Sequence, residues 1–428
     1  MSIPVPEQWP QEVLDKYEAV RHLGKGGFAS VILGKRKEPE EGKPKFVAIK
    51  VVGSKYVTRQ DVGYAHREMD ILAELNHPNI MKVLEHWEPP RKDHQCAAIM
   101  ALTFAKGPTL EQLLKKGGAL SSVFGRIVCA QIVDVLAHIH SRAVLHRDIK
   151  PDNMIVTGSA YEMDEIWDEI LIESEIDNWD ELTKKWKLTF VDFGFARALS
   201  KEDMAKPAPK TTKNTSSNLD GSVGASNSSR KSLSRSVSRA FTRQMSALGH
   251  RSYAAPEVMK GVKPNSKHDA LRFGEEPVDL TNNLSANVSQ YGMMADAFSA
   301  GSTMRYAMTG VPPNMTHEQA MASQESVLSK LGCCFGSGGG SSSKKATLEK
   351  EPRKVKYREI SGISKEAQKL IEGFTQKDVD DRTSIRHARR FPWINDVLST
   401  EAPSTQEVNF LSFTIKGEHG VIAATEEE

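Results

Sequence analysis

The sequence predicts an α+β fold in two lobes, a small strand-rich lobe with one helix followed by a larger helical lobe, and two observations carry that prediction. Between residues 17 and 103 the apolar runs YEAVRHLG, ASVILGK and KFVAIKVV are short and bounded by turn residues, as strands are, and only 64–74 shows helical spacing. From about Thr109 the apolar period turns helical, as in FGRIVCAQIVDVLAHIHS. No repeat with a period of about 20 to 50 residues is visible, which sets aside solenoids and propellers.

The chain has 428 residues, enough for two or three domains of about 150 residues or for one large two-lobed unit with insertions. The second reading is favoured by the way compact segments alternate with biased ones. Residues 1–16 read as an N-terminal extension, 17–396 as the domain, with lobes of about 17–103 and 104–396, and 397–428 as a tail. Insertions are expected at about 158–185, 200–246, 262–290 and 315–357. The second and the Gly/Ser-rich end of the fourth have too little apolar content to order themselves. The first differs, because Ile166, Trp167, Ile170, Leu171 and Ile172 among its carboxylates suit an amphipathic helix docked on the lobe surface.

Charge is nearly balanced, Lys+Arg 57 against Asp+Glu 55, so a uniform basic field for wrapping nucleic acid is missing and no nucleic-acid partner is expected. Cys96, Cys129, Cys333 and Cys334 form no CxxC pair with His spacing, which argues against a zinc site and a disulfide framework and for a reducing compartment. The opening MSIPVPEQWP has neither a basic nor an apolar leader region, Ser2 stands where a myristoyl signal needs glycine, and no run approaches the roughly 20 apolar residues of a membrane span. A soluble cytoplasmic protein, with nuclear access left open, is the expectation.

The chemistry is carried by motifs in a fixed order. LGKGGFASV, residues 23–31, lies between two predicted strands, and Gly24, Gly26 and Gly27 there let backbone amides approach phosphates closely. VAIK ends in Lys50, and HREMDIL supplies Glu68, an anionic partner that can hold the lysine extended toward the α- and β-phosphates of a nucleotide. HRDIKPDN, residues 146–153, offers Asp148 to accept the proton of an attacking hydroxyl, Lys150 to neutralise the γ-phosphate and Asn153 to hold a metal ion. Asp192 in DFG is a second carboxylate for Mg²⁺, and APE follows at 255–257. Singly, each motif has a bland reading: glycines make turns, and Lys and Glu make surfaces.

Together, in this order, the motifs resemble those of the eukaryotic protein-kinase family over about residues 17–396. The resemblance implies the two-lobed kinase fold, ATP and Mg²⁺ as cofactors, protein substrates, and phosphoryl transfer to serine or threonine, since Lys150 follows the pattern of that branch. It further implies that Leu23, Gly24, Lys25, Gly26, Gly27, Phe28, Val31, Ala48, Lys50, Leu102, Thr103, Ala105 and Ile155 form the nucleotide site, with Val31, Ala48 and Ile155 sandwiching the adenine. His146, Phe193, Leu72 and Val83 would form an apolar column, Asp296 would anchor the catalytic loop, and Arg382 would pair with Glu257. RRFPWI at 389–394 resembles the close of the domain.

Three positions depart from the family pattern: Ala29 stands for a third glycine, Val379 for a proline, and His250 for a threonine that bridges the catalytic aspartate and lysine. His250 keeps a second class of function open, a pseudokinase or nucleotide-binding scaffold.

Between DFG and APE the chain is much longer than the family needs, and it ends in RKSLSRSVSRAFTRQMSALGH. Lys231, Arg235, Arg239 and Arg243 precede Ser234, Ser238, Thr242 and Ser246 by three positions each. That is a substrate pattern of basophilic kinases, and it is also what a low-complexity basic linker produces by chance. Ser246 falls where relatives carry an activating phosphate, which Arg147 and Arg197 would clamp, placed there by an upstream kinase or by the enzyme itself. The acidic insert is a candidate to hold this basic segment before phosphorylation, against the alternative of two independent solvated loops. In the tail, NFLSFTI reads as an edge strand or surface packing, although it also resembles a hydrophobic motif of the cAMP-dependent group.

Overall fold

The computed structural model describes residues 9–25, 29–52, 59–87, 98–158, 178–199, 252–259, 288–333, 355–398, 413–416 and 421–424. The small lobe is built on an antiparallel sheet of β1 (Tyr17–Lys25), β2 (Ala29–Arg36), β3 (Phe46–Val52), β4 (Val83–Trp87) and β5 (Ala98–Thr103), in the order β1-β2-β3-β5-β4. The two-residue side-chain period of a strand decides what β3 presents to each face. Val47, Ile49 and Val51 join a core on the outer face with Tyr17, Ile32, Trp87 and Ile99, whereas Val52 joins the inner core with Met69, Leu72 and Leu75 of α2 (Arg59–Glu74). Lys50, of the same parity as Val52, is thereby carried on the inner face.

The segment expected as an extension is part of this lobe. Trp9 and Val13, the latter in α1 (Gln11–Lys16), are buried in the outer core. Arg36 fastens that edge by donating to the Tyr17 hydroxyl at 2.7 Å and to Glu85 at 2.9 Å, while Lys16 reaches Glu85 at 2.7 Å. Burial alone would raise the Glu85 pKa, but the donors Lys16, Arg36 and Tyr17 hold it down to about 2.

The large lobe packs around α4 (Ser122–His140), capped by the Ser121 hydroxyl on the Phe124 amide at 3.2 Å. This helix is long and apolar enough to cross a membrane, a pattern the sequence reading passed over; most of it is buried in the protein's own core. Its partners include α7 (Val288–Thr309) and α9 (Lys365–Phe374), which the same apolar cluster joins through Met304, Ala307, Leu370 and Phe374. The cluster also takes in Ile394 and Val397, so residues up to 398 belong to the packed unit. The region expected as a fourth insertion holds α8 (His317–Cys333), with Ala320 buried. In the tail, β10 (Phe413–Lys416) pairs antiparallel with β11 (Val421–Ala424), in accord with the strand reading.

Of the acidic insert, α5 (Trp179–Lys185) is described; the apolar positions 166–172 lie outside the described residues. Trp179 docks on α4 by stacking on the Arg126 guanidinium at 4.7 Å, and Trp393 approaches the same group at 5.5 Å. Trp186 follows, edge-on to Phe124 at 5.3 Å. Replacing Trp179 with alanine (W179A) is expected to cost about 1–2 kcal/mol in denaturant unfolding, the range of a partly desolvated cation–π contact plus its packing.

Candidate active site

The inner face of β3 and one side of α2 bring two charges together. Lys50 Nζ lies 2.6 and 2.8 Å from the two Glu68 oxygens, both residues buried, and 3.0 Å from Asp192 Oδ1. Burial would depress the lysine, but Asp192 and Glu68 outweigh it and raise its pKa. Glu68 is pushed up by burial against the pull of Lys50, and Asp192 is held below its ordinary value because Lys50 and the Gly194 amide outweigh desolvation. Gly194 donates its amide to Asp192 Oδ1 at 3.1 Å, and a Cβ on it would stand 3.2 Å from that oxygen. The glycine of DFG is thus set by close approach to the carboxylate.

Asp148 sits on the loop after β6 (Val144–Leu145). Its Oδ2 accepts from Lys150 Nζ and from Asn153 Nδ2, each at 2.7 Å, while Oδ1 is buried with no partner among the described residues. Arg147 has φ 66°, a left-handed conformation costly for a residue with a Cβ. Asp296 on α7 holds it there: its carboxylate accepts from the amides of His146 and Arg147, both at 2.8 Å, and from His140 Nε2 at 3.0 Å. That is the anchoring role the resemblance implied. His146 stacks on Phe193 at 4.7 Å, and Leu72, Phe193 and the partly buried Val83 share one apolar cluster, as expected of the column.

The remaining expected positions divide into those described and those outside. Leu23, Gly24 and Lys25 close β1; Val31 and Ala48 lie half-buried on β2 and β3; Ile155 lies half-buried on β7 (Met154–Thr157). Leu102 is buried, and Thr103 and Ala105 are half-buried at the strand's exit. The Thr103 amide donates to the Lys82 carbonyl at 2.9 Å. Arg197, on β9 (Arg197–Ala198), is paired with Leu145, which brings it near Arg147, whose Nε donates to the Phe195 carbonyl at 2.7 Å. Gly26, Gly27, Phe28, Ser246 and His250 lie outside the described residues.

A cleft of about 600 Å³ runs from Gly24 and Lys25 to Lys150 and Asn153, with Glu111, Asp152, Tyr253 and Tyr306 on its walls. The last four were not singled out from the sequence. Glu111, on α3 (Leu110–Gly117), looks there like half of a surface i,i+4 pair with Lys115, and the pair does form at 3.0 Å. Burial and then the Glu111 carboxylate raise both tyrosine hydroxyls above their ordinary range.

A family model for the protein kinase domain matches residues 17–218. Those residues, just under half of the chain, carry a protein kinase domain. It is similar to serine/threonine-protein kinase 36 of Pongo abelii, 28% identical over 199 residues, which is 46% of this chain and 12% of that one. It is also similar to the probable serine/threonine-protein kinase fhkA of Dictyostelium discoideum, 22% identical over 391 residues, 90% of this chain and 51% of the relative. A third relative, 3-phosphoinositide-dependent protein kinase 1 of Arabidopsis thaliana, is 30% identical over 146 residues, 34% and 28% of the two chains. The chain therefore spans from about an eighth to a half of these relatives' lengths, and the first two carry serine/threonine-protein kinase in their names.

Proposed function

We propose that this kinase transfers the γ-phosphoryl group of ATP to serine and threonine hydroxyls of proteins, in the cytoplasm, through a domain spanning 17–396. The observation that carries the reading is the pairing of two preorganised groups: Lys50 held by Glu68 and Asp192, and Asp148 held by Lys150 and Asn153. Phosphoryl transfer needs little covalent chemistry from the protein, and positioning plus charge stabilisation account for most of it.

In this reading Lys50 holds the α- and β-phosphates, with Glu68 keeping its ammonium extended. Asp148 takes the proton of the attacking hydroxyl, and Lys150 offsets charge on the γ-phosphate. The donor set fits Mg²⁺. Asn153 spends its amide N–H groups on Asp148, which leaves its carbonyl oxygen, and Asp192 engages Lys50 and Gly194 through Oδ1, which leaves Oδ2. Two hard oxygens are what such a site supplies when substrate oxygens complete it. Mg²⁺ bound there would neutralise phosphate charge.

The test is transfer of labelled γ-phosphate to a generic protein substrate, dependent on added Mg²⁺. The scaffold reading, motivated by His250, predicts nucleotide binding without transfer. We also propose that phosphate on Ser246, added by an upstream kinase or by the enzyme itself, switches it on, clamped by Arg147 and Arg197. Ser246→Ala is expected to lower kcat at least about tenfold, through loss of two or three charge-assisted hydrogen bonds. Full activity with Ser246 unphosphorylated overturns this.

A further inference from the structure

We propose that Asp134 on α4 is a positioning residue for nucleotide binding: braced by Arg389 from the close of the domain, it holds the α2–β4 connection through His77 and so keeps Glu68 on Lys50. The inference rests on the kinase reading above and adds to it an ion pair that lies outside the cleft.

Asp134 interrupts the apolar run of α4, whose Ile132, Val133, Val135 and Leu136 are all buried, and its partner Arg389 keeps 1% of its surface. Arg389 Nε lies 2.7 Å from Asp134 Oδ1, and the same guanidinium donates to Asn395 Oδ1 at 2.7 Å, on the short helix Pro392–Asn395. Burial would raise the Asp134 pKa, but the hydrogen bonds from His77 and Arg389 hold it below its ordinary value, so the carboxylate stays charged. Stability alone does not call for such a pair, because apolar side chains of similar volume often pack as well or better. What an apolar pair cannot do is accept a hydrogen bond from His77, whose Nε2 lies 3.0 Å from Asp134 Oδ2.

The direction of that bond is fixed by the other ring nitrogen. His77 Nδ1 accepts from the Asn79 amide at 3.1 Å, so the proton sits on Nε2 and is donated to Asp134. His138 packs on the same ring at 4.9 Å, and burial with the Arg142 charge lowers its pKa to about 4, so it is a neutral wall. The carboxylate therefore tethers a neutral, correctly turned imidazole.

The tether acts where the nucleotide groups are set. Helix α2, which carries Glu68, ends at Glu74, and His77 follows in the connection to β4. Two residues on, Asn79 Nδ2 donates to Gln131 Oε1 at 2.7 Å and to the Leu188 carbonyl at 2.6 Å, and the Phe190 amide donates to the Asn79 carbonyl at 2.8 Å. Leu188 and Phe190 belong to β8 (Lys187–Phe190), which leads directly to Asp192. The connection is thus fastened to α4 on one side and to β8 on the other, and these elements set where Glu68 and Asp192 meet Lys50. If the nucleotide binds only when that triad is aligned, a loosened connection divides the apparent affinity by the aligned fraction and leaves turnover at saturation unchanged.

The experiment uses the full chain and reads Mg²⁺-ATP affinity by titration calorimetry beside the steady-state constants. Asp134→Leu combined with Arg389→Leu is expected to keep the thermal midpoint while weakening ATP binding, and raising KM for ATP, about five- to twentyfold. The kcat and the KM for a protein substrate are expected to stay within about threefold. His77→Phe, which leaves the ion pair intact, is expected to weaken ATP binding to the same degree, and joining it to the double leucine variant is expected to add nothing, since both remove one bond. A merely structural role would lower the amount of active enzyme, and with it kcat, at an unchanged ATP affinity; that result overturns the proposal. So does ATP binding by His77→Phe at the unmodified strength, which decides the matter even where the leucine variant fails to fold. Nucleotide binding without transfer by the unmodified chain overturns the kinase reading alone and leaves this titration valid, whereas no nucleotide binding overturns both.

Discussion

Asp148→Asn is expected to lower kcat about 10²- to 10⁴-fold, the range of a lost general base, while leaving KM for ATP within a factor of about three. The neighbouring geometry makes this substitution a clean one. Two donors, Lys150 Nζ and Asn153 Nδ2, converge on Oδ2 at 2.7 Å each. An asparagine can place its carbonyl oxygen there and keep both hydrogen bonds. Its NH₂ then takes the place of Oδ1, the buried oxygen that has no partner among the described residues. Loop anchoring by Asp296 acts on the backbone of His146 and Arg147 and is untouched. What is lost is the ability to accept a proton at that spot. Single-turnover transfer to a protein substrate, with the thermal midpoint as a control for folding, measures the effect. A residual rate within tenfold of the unmodified chain shows that the proton goes elsewhere.

Much of this site was legible in the sequence because its parts are local motifs whose spacing is dictated by chemistry. A strand that is buried on both faces yet carries a lysine, as FVAIKVV does, has to supply that lysine with a counter-charge, and Glu68 is found 2.6 Å away. The long-range partners, Asp296 for the catalytic loop and Arg382 for Glu257, were legible through family resemblance and not through any periodicity. Trp9 and Val13 were missed because a short segment beside prolines has no period of its own; only the outer face of the sheet reveals what they cover. Glu111 was missed for the opposite reason, since its pattern with Lys115 is complete and bland, and burial alone distinguishes it. The helix His317–Cys333 was merged into an insertion because the Gly/Ser-rich stretch that follows it coloured the reading of the whole region.

Arg382→Met is expected to destabilise the protein by about 3–5 kcal/mol, the cost of stranding one member of a buried ion pair. The side chain of Arg382 is fully buried, and it donates to the two Glu257 oxygens at 2.7 and 3.0 Å, to the Met294 carbonyl at 2.8 Å and to the Gln376 carbonyl at 3.1 Å. Methionine fills much of the volume over Phe298, where the guanidinium lies 5.1 Å from the ring. The loss is therefore electrostatic: a carboxylate that keeps only 14% of its side-chain surface loses its counter-charge, and two carbonyls lose a donor. The cycle with Glu257→Gln separates the two parts. If the stranded charge dominates, the double variant is expected to be more stable than Arg382→Met alone by about 1–3 kcal/mol, because the uncompensated carboxylate is gone. Equal stability of the single and double variants assigns the loss to the carbonyls. The functional readout follows from chain order. Glu257 is the second residue of the short helix Pro256–Met259, four residues after Tyr253, which lines the cleft beside Lys150 and Asn153. Releasing that anchor is expected to raise KM for a protein substrate more than KM for ATP, whose proposed contacts lie on Lys50, Asn153 and Asp192.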